Sequence, residues 1–189
     1  LLVSQRRVGL WCDPALADEL GRCDCRGFIP VDDLTSLPAL DGLVCVTLRS
    51  ALPALGVAHW KLVPRRVVAG IGCRRGTPLA LLDALLTRRM AQQGIDPLAL
   101  KAIGSISLKK DEAGLIALAL GRQVPFEIFS VDALRAHEHR FPASPFVRQT
   151  VGVGSVSGPA AWLMSQGQPL GETLREQGVT ITLGVTRGC

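Results

Sequence analysis

Aromatic side chains are scarce in this sequence. Tyrosine is absent, and aromatic residues make up only 4% of the 189 positions. Proteins that bind single-stranded nucleic acid stack the bases on aromatic rings, so this composition argues against such a partner. The net charge of +5 favours an acidic ligand, but lysine and arginine come in scattered pairs rather than in one dense tract. We therefore expect no nucleic-acid partner and regard a polyanionic small molecule as the candidate ligand.

Signals for metal binding and for membrane insertion are also missing. The six cysteines include no C-x-x-C pair, and the spacing of Cys23 and Cys25 is poor for zinc. His137 and His139 lie at the end of a predicted helix without further ligands nearby in the sequence, so we expect no metal site. Free thiols indicate a reducing, cytoplasmic location. No apolar run is long enough to span a bilayer, so we expect no membrane partner.

Short strands alternate with helices along the chain. This pattern predicts an α/β fold with layered sheets. We expect a small α/β linker domain over residues 1–61 and a C-terminal α/β domain over residues 62–189. The C-terminal domain should have three α/β/α layers around a mostly parallel or mixed sheet. Trp60 and Leu62 are expected to pack down the connector between the domains. In the C-terminal domain we predict strands at 67–72, 102–106, 126–129 and 179–185, and helices at 79–93, 112–120, 131–138 and 159–164.

The most informative segment is a glycine-rich turn between the predicted strand 67–72 and the helix that follows it. Thr77 and Pro78 suit the N-cap and the first position of that helix. Free N–H groups and the positive end of a helix favour an anion at such a turn, and two arginines strengthen this preference. The candidate binding residues of the turn are Gly72, Cys73, Arg74, Arg75, Gly76 and Thr77.

Nucleotide-binding motifs do not fit the spacing of this turn. Gly70, Gly72 and Gly76 read G-x-G-x-x-x-G, whereas the dinucleotide fingerprint needs G-x-G-x-x-G and an acidic residue about 20 residues further on. The Gly-Lys-Ser/Thr sequence of a Walker loop is absent. A purely structural turn, in which the glycines only permit close packing, stays open as an alternative.

A second charged turn follows the next predicted strand. It contains Lys109, Asp111 and Glu112, and either Ser107 or Asp111 could cap the following helix. Because the carboxyl ends of parallel strands share one edge of a sheet, we expect this turn to lie beside the glycine-rich turn. Lys109 and Lys110 would then add to a basic crevice. An ordinary capped turn is the structural alternative.

A third turn, residues 152–159, is again rich in glycine and precedes a predicted helix. Ser157 is the expected N-cap, and Pro159 suits the first turn of the helix. This turn would present another helix N-terminus that favours an anion. As for the second turn, a capped turn without any ligand is the structural alternative.

Together the three segments resemble the cobalt-precorrin-5A hydrolases of anaerobic cobalamin biosynthesis. Residues 64–77 resemble the start of that family's C-terminal domain. Residues 105–115, with the pattern Lys-x-Asp-Glu-x-Gly-Leu at 109–115, resemble its second motif. A resemblance to the family's third motif lies at Pro142, Ser144, Val147, Gly152, Ser155 and Val156. The resemblance covers residues 62–187, and the preceding third of the chain resembles the family's central linker domain. The chain begins with leucine, and we expect it to be the C-terminal part of a longer protein.

The resemblance implies a reaction and a set of site residues. The substrate is then a cobalt corrinoid polycarboxylate, whose ring-A δ-lactone is opened by water with release of acetaldehyde to give cobalt-precorrin-5B. Lys109, Asp111 and Glu112 are the catalytic candidates. Beyond the glycine-rich turn, the substrate-binding candidates are Ser144, Arg148, Gly154 and Ser155. No cofactor is expected, because the substrate itself carries the cobalt.

The sequence departs from the family at two places. The family usually has an acidic residue where Gly158 stands, and it tends to have a lysine before the last strand, where this chain has residues 172–178. A non-catalytic corrinoid-binding module is the alternative function, because a related stand-alone domain of the aerobic pathway has no assigned reaction. A homodimer and contacts with other cobalamin-pathway enzymes stay open as partners.

Overall fold

A computed structural model describes residues 6–21, 24–142 and 153–187. These residues form two compact units, each with its own sheet. The first unit contains the described residues of Leu1–Pro64 together with Gly94–Ala99, and the second contains Arg65–Gln93 with the described residues of Leu100–Arg187. In the described part of the chain, none of the helices is long and apolar enough to cross a membrane.

Four parallel strands form the sheet of the first unit. Their order is β2–β1–β3–β4, and the strands are β1 (Val8–Cys12), β2 (Ile29–Val31), β3 (Gly42–Val46) and β4 (His59–Leu62). After β1, Asp13 caps a 3₁₀ turn (Pro14–Leu16) that leads into α1 (Ala17–Leu20). The core contains the buried side chains of Trp11, Val31, Leu43, Cys45 and Leu55. Apolar burial of this kind provides the main stabilisation of a small unit.

The prediction that Trp60 and Leu62 pack down the connector is wrong. Both residues lie on β4, an edge strand, and they expose 47% and 55% of their surface. Backbone pairing with β3 holds this segment instead, together with Lys61. The ammonium of Lys61 donates to a carboxylate oxygen of Asp96 at 2.5 Å and to the carbonyl oxygens of residues 49 and 50.

The second unit contains a mixed five-stranded sheet. Its order is β7–β6–β5–β9–β8, and the strands are β5 (Val67–Cys73), β6 (Leu100–Ile106), β7 (Phe126–Phe129), β8 (Pro169–Glu176) and β9 (Val179–Val185). β5, β6 and β7 are parallel, and the β8–β9 hairpin adds to β5 through an antiparallel β9. The predicted α/β class with a mixed sheet is therefore confirmed, and β8 is a strand that the sequence pattern did not reveal.

Helices cover both faces of this sheet. The two crossovers of the parallel strands are α2 (Leu79–Gln92) and α3 (Ala113–Gly121), and right-handed crossovers that run in the same direction place both helices on one face. After α4 (Val131–Arg135), α5 (Ser157–Met164) packs against β5, β6 and β9. Gly70 permits this packing, because a Cβ at that position would collide with backbone atoms of Ser157 and Ala161. Short 3₁₀ turns lie at Pro97–Ala99, Ser107–Lys109 and Glu138–Arg140.

Two predicted N-caps are wrong by one or more positions. α2 begins after Pro78, and the hydroxyl of Thr77 instead donates to the carbonyl oxygen of Arg74 at 2.7 Å. α5 begins at Ser157 itself, with Val156 before it. The hydroxyl of Thr77 bonds to the preceding turn, and that of Ser157 bonds to Thr182 in the sheet. Neither hydroxyl therefore caps its helix.

The boundaries of α3 also differ from the prediction. The N-cap position belongs to Glu112 rather than to Ser107 or Asp111, and it forms no side-chain cap bond. The helix ends one residue later than predicted, at Gly121. The left-handed position that follows is taken by Gln123, with φ of +54°. Ser130 caps α4, because its hydroxyl accepts a hydrogen bond from the N–H of Ala133 at 3.1 Å.

Candidate functional site

Three turns meet at the carboxyl edge of the parallel strands of the second unit. The first follows β5 (residues 74–78), the second follows β6 (residues 107–112), and the third (residues 153–156) leads into α5. A Cβ placed on Gly72 would lie 3.4 Å from the Cβ of Val156, so the third turn lies against the end of β5. We call this cluster the three-turn edge. Ligands of open α/β sheets bind at this kind of edge.

The first two turns are joined by Glu112. The N–H of Gly76 donates to Oε1 of Glu112 at 2.7 Å, and the ammonium of Lys109 donates to Oε2 at 2.9 Å. The side chain of Glu112 is 7% exposed and that of Lys109 is 15% exposed. The carboxylate therefore holds together two turns that are more than 30 residues apart in sequence, and it does so away from bulk water.

The electrostatics of this contact favour an ionised Glu112. Burial is the largest single effect, and it raises the pKa of the carboxyl group. The hydrogen bonds from Lys109 and from the N–H of Gly76, together with the positive charges of Lys109 and Arg75, outweigh it, so the pKa of Glu112 lies below its usual value. Glu112 is therefore a carboxylate at neutral pH, with both oxygens engaged, and it is a weak proton acceptor.

Cys73 lies next to this ion pair at the end of β5. Burial raises the pKa of its thiol, and the charge of Glu112 adds to this effect, whereas Lys109 and a hydrogen bond with Thr77 partly oppose it. The thiol is therefore protonated at neutral pH. A protonated thiol is a poor nucleophile, so Cys73 contributes to the wall of the site rather than to covalent chemistry.

The two arginines of the glycine-rich turn are exposed, and they extend in different directions. Arg74 lies over Gly178, where a Cβ would be within 3 Å of its Nε. Arg74 therefore places a positive charge beside the segment 172–178. The family that this chain resembles tends to have a lysine in that segment. Arg75 is close enough to Glu112 for its charge to lower the pKa of that carboxyl group. Exposed guanidinium groups on both sides of the turn suit ligand carboxylates, which they can bind through two parallel hydrogen bonds.

Asp111 is not brought together with Lys109 and Glu112. Its side chain is 86% exposed, and its ion-pair partner is Lys110, at 4.0 Å. Successive residues point in different directions at the start of a helix, so the chain directs Glu112 inward and Asp111 to solvent. Lys110 is exposed as well, so of the two lysines only Lys109 contacts the buried part of the three-turn edge.

The third turn contributes two of the residues predicted for binding. The N–H of Gly154 donates to Oε2 of Glu138 at 2.6 Å, and Ser155 is buried beside it. Ser144 and Arg148, the other two residues predicted from the third motif, lie outside the described residues. Among the residues that the structure describes, no three His, Cys, Asp or Glu side chains come together in a way that could hold a metal ion.

A layer of buried hydroxyl groups supports the three-turn edge from below. The hydroxyl of Ser105 donates to the carbonyl oxygen of Ile71 at 2.7 Å, and the hydroxyl of Thr182 donates to that of Ser157 at 3.2 Å. Sequence reasoning did not assign these residues to the site. The signal that could have found them is the alternation of threonine with aliphatic residues in β9, which places the threonines on the face of the sheet that α5 covers.

The structure gives a steric reason for Gly158. A Cβ at this position would lie 2.4 Å from ring carbons of Phe141. Phe141 belongs to a cluster in which its ring meets Trp162 edge-on at 6.3 Å, and the guanidinium of Arg140 lies 4.5 Å from the centre of the Trp162 ring. The family that this chain resembles usually has an acidic side chain at the position of Gly158. Such a side chain has no space at position 158 while Phe141 keeps its place.

The fold and the place of the candidate site define a class of protein, an α/β domain with a mixed sheet whose site residues lie in turns at the carboxyl edge of the parallel strands. Residues 67–184 match the family described as Cobalamin synthesis G C-terminus. The chain belongs to this family, as the three sequence motifs predicted. The matched region contains all three turns of the edge.

Similar proteins support this assignment. A protein of Salmonella typhimurium named cobalt-precorrin-5A hydrolase is 69% identical over 185 residues, which cover 98% of this chain and 53% of the relative. The chain thus spans about half the length of that relative. The structure of CobE, a protein from the cobalamin biosynthetic pathway, is 31% identical with a TM-score of 0.61, and the match covers 66% of this chain and 93% of that chain. The cobalamin biosynthesis protein chiG from Agrobacterium tumefaciens is 25% identical with a TM-score of 0.51, over 65% of this chain and 99% of that chain.

Proposed function

We propose that this chain acts in cobalamin biosynthesis as a cobalt-precorrin-5A hydrolase, or as its part that binds substrate and catalyses the reaction. The substrate is a cobalt corrinoid polycarboxylate, and it binds at the three-turn edge. The name of the relative that is 69% identical over 98% of this chain supports the choice of substrate. Since the chain spans about half of that relative, the activity of the chain by itself is the point to be tested.

The observation that carries the proposal is the meeting of Gly76, Lys109 and Glu112. It places the ammonium of Lys109, whose side chain is 15% exposed, beside a glycine-rich turn that carries the exposed Arg74 and Arg75. Such an arrangement attracts anions, and guanidinium groups bind carboxylates well. A corrinoid with several peripheral carboxylates therefore fits this edge better than a neutral ligand does.

The reaction needs an electrophilic group and a route for protons. Water adds to the lactone carbonyl, the ring C–O bond breaks, and a carboxylate and a free hydroxyl group result. The hydroxyl then loses its proton as the adjacent C–C bond breaks, acetaldehyde leaves, and the electron pair passes into the conjugated macrocycle, which is later reprotonated. Lys109 is the residue that we assign to the first step, because its ammonium can stabilise the oxyanion that develops on the lactone oxygen.

Anaerobic incubation of the chain with cobalt-precorrin-5A tests the proposal. We expect acetaldehyde to be released, and Lys109→Met to lower its rate by about 10²–10³-fold, the usual effect of removing an oxyanion-stabilising group. Lys101→Met is the matched control, because Lys101 is an exposed lysine near the opposite end of β6. Release of acetaldehyde at equal rates by both variants would exclude Lys109 from the reaction.

A non-catalytic corrinoid-binding module is the second candidate. The observation in its favour is that the match to CobE covers 93% of that chain, so a domain of this kind exists with little else attached to it. This candidate predicts that the chain binds cobalt-precorrin-5A but releases no acetaldehyde in the same incubation. Binding with turnover would exclude it.

The cellular setting is proposed on the same basis. We place the protein in the cytoplasm, and we treat the cobalt as part of the substrate rather than as a resident cofactor of the protein. A homodimer and contacts with other enzymes of the cobalamin pathway are proposed partners. Sedimentation velocity of the purified chain, alone and with such an enzyme, tests both.

A further inference from the structure

We infer that Glu112 is a positioning residue, which holds the glycine-rich turn and Lys109 in the arrangement that receives an anionic ligand. The inference rests on the proposed function only for the identity of that ligand. It assigns to Glu112 a role different from that of a proton acceptor, which its place among the catalytic candidates had suggested.

The two oxygens of Glu112 bind two different turns. Oε1 accepts a hydrogen bond from the N–H of Gly76, in the turn after β5. Oε2 accepts a hydrogen bond from the ammonium of Lys109, in the turn after β6. With 7% of the Glu112 side chain exposed, its carboxylate depends on these two contacts for its hydrogen bonds. Loss of the carboxylate would leave the ammonium of Lys109, whose side chain is 15% exposed, without its acceptor, which is costly, and would release the N–H of the exposed Gly76. Both turns would then have to rearrange.

Glu112 also fixes the direction of the Lys109 side chain. An ammonium group has three N–H donors, and one of them is directed to Glu112. Among the described residues, Lys109 has no second hydrogen-bond partner, so its remaining donors can meet a ligand. A free lysine side chain would sample many rotamers, and fixing it in advance removes this entropic cost from ligand binding.

A test without any ligand is the pH dependence of thermal unfolding. The charged and titratable groups that face Glu112 are Lys109, Arg75 and Cys73. Because the pKa of Glu112 is lowered in the folded chain, its stabilisation is present above the ordinary glutamate pKa and is lost as the pH falls through the lowered value. In Lys109→Met the carboxylate stays buried without its ammonium, so its folded-state pKa rises towards the ordinary glutamate value or beyond it. The variant is then less stable at neutral pH, and it loses less stability as the pH falls.

The control for this measurement is Asp111→Asn, which removes an exposed carboxylate from the adjacent position. We expect this control to lose as much stability between neutral and acid pH as the unmodified chain does, whereas Lys109→Met loses less. Equal acid losses of stability in the unmodified chain and in Lys109→Met would overturn the inference, because they would show that Glu112 does not depend on Lys109.

Ligand binding provides the second arm of the test, with a cobalt corrinoid polycarboxylate titrated anaerobically. If Glu112 were only a negative charge near an anionic ligand, Glu112→Gln would tighten binding. The positioning role predicts the opposite, a weakening by about tenfold for Glu112→Gln and more for Glu112→Ala, as charge-assisted hydrogen bonds are lost. Tighter binding by Glu112→Gln would overturn the inference. If the unmodified chain binds no corrinoid, the proposed function fails, and the pH measurement still decides the role of Glu112.

Discussion

Replacement of Gly114 by alanine tests how closely the first two turns of the site approach each other. A Cβ at Gly114 would lie 2.2 Å from the carbonyl oxygen of Thr77, whereas ordinary contacts of a Cβ begin at 3.4 Å, so α3 must retreat from the turn by about 1.2 Å. Glu112 precedes Gly114 by two residues, and Gly76 precedes Thr77. The same retreat therefore stretches the Gly76–Glu112 hydrogen bond from 2.7 Å beyond the range of a hydrogen bond.

The expected cost follows from these two effects. Overpacking of a well-packed site costs about 1–3 kcal/mol, and the loss of a hydrogen bond to a charged group costs about 1.5–3 kcal/mol. Alanine gains up to about 1 kcal/mol over glycine inside a helix. We therefore expect Gly114→Ala to lower the free energy of unfolding by about 1.5–5 kcal/mol.

Urea unfolding of both the variant and a control in the same helix measures this difference. The control is Gly121→Ala, at the last residue of α3, where a Cβ would meet no atom within 4 Å. Here only the helix propensity acts, so we expect a gain of about 0.5–1 kcal/mol. The same substitution in one helix should thus act with opposite signs. A Gly114→Ala chain as stable as Gly121→Ala would refute the close contact between α3 and the glycine-rich turn.

Two further substitutions test other parts of the account. Arg74→Ala combined with Arg75→Ala should weaken the binding of a cobalt corrinoid polycarboxylate and leave the fold intact. The control Lys101→Ala, near the other end of β6, should bind the ligand normally. Calorimetric titration measures both affinities, and an unchanged affinity of the double variant would exclude the arginines from the site. Gly158→Ala should lower the free energy of unfolding in urea by about 1–3 kcal/mol, because its methyl group collides with Phe141. In the Phe141→Ala background the same substitution should cost less, because the ring is gone. Additive losses of stability in the double variant would argue against the collision.

Much of the second unit was predictable from the sequence. The strands β5, β7 and β9 show either a β-branched apolar run or clean alternation, and α2 shows apolar residues at helical spacing. β4 and β8 were missed because polar and charged residues interrupt their apolar positions, so neither shows an apolar run or a clean alternation. Both are edge strands with largely exposed or half-buried side chains, but β7, also an edge strand, kept a recognisable alternation.

The candidate site was predictable in part. The rule that parallel strands share a carboxyl edge brought the Lys109 turn beside the glycine-rich turn, and the structure shows these turns in contact. The rule does not say which side chain points inward, so it could not separate Glu112 from Asp111. The contact between Glu112 and Gly76 spans 36 residues and depends on the packing of α3, which local sequence does not encode. The hydroxyl groups beneath the edge were missed although β9 alternates threonine with aliphatic residues, because their partners lie 25 and 34 residues away in the sequence.

The most direct measurement of the central claim is a crystal structure of the chain with a bound cobalt corrinoid polycarboxylate. The account predicts that a ligand carboxylate or the lactone oxygen lies within hydrogen-bond distance of Nζ of Lys109, with further carboxylates near Arg74 or Arg75, and with Glu112 still bound to Gly76. A corrinoid that binds elsewhere, for example in the shallow depression between α2 and α3 lined by Leu79 and Leu118, would contradict it.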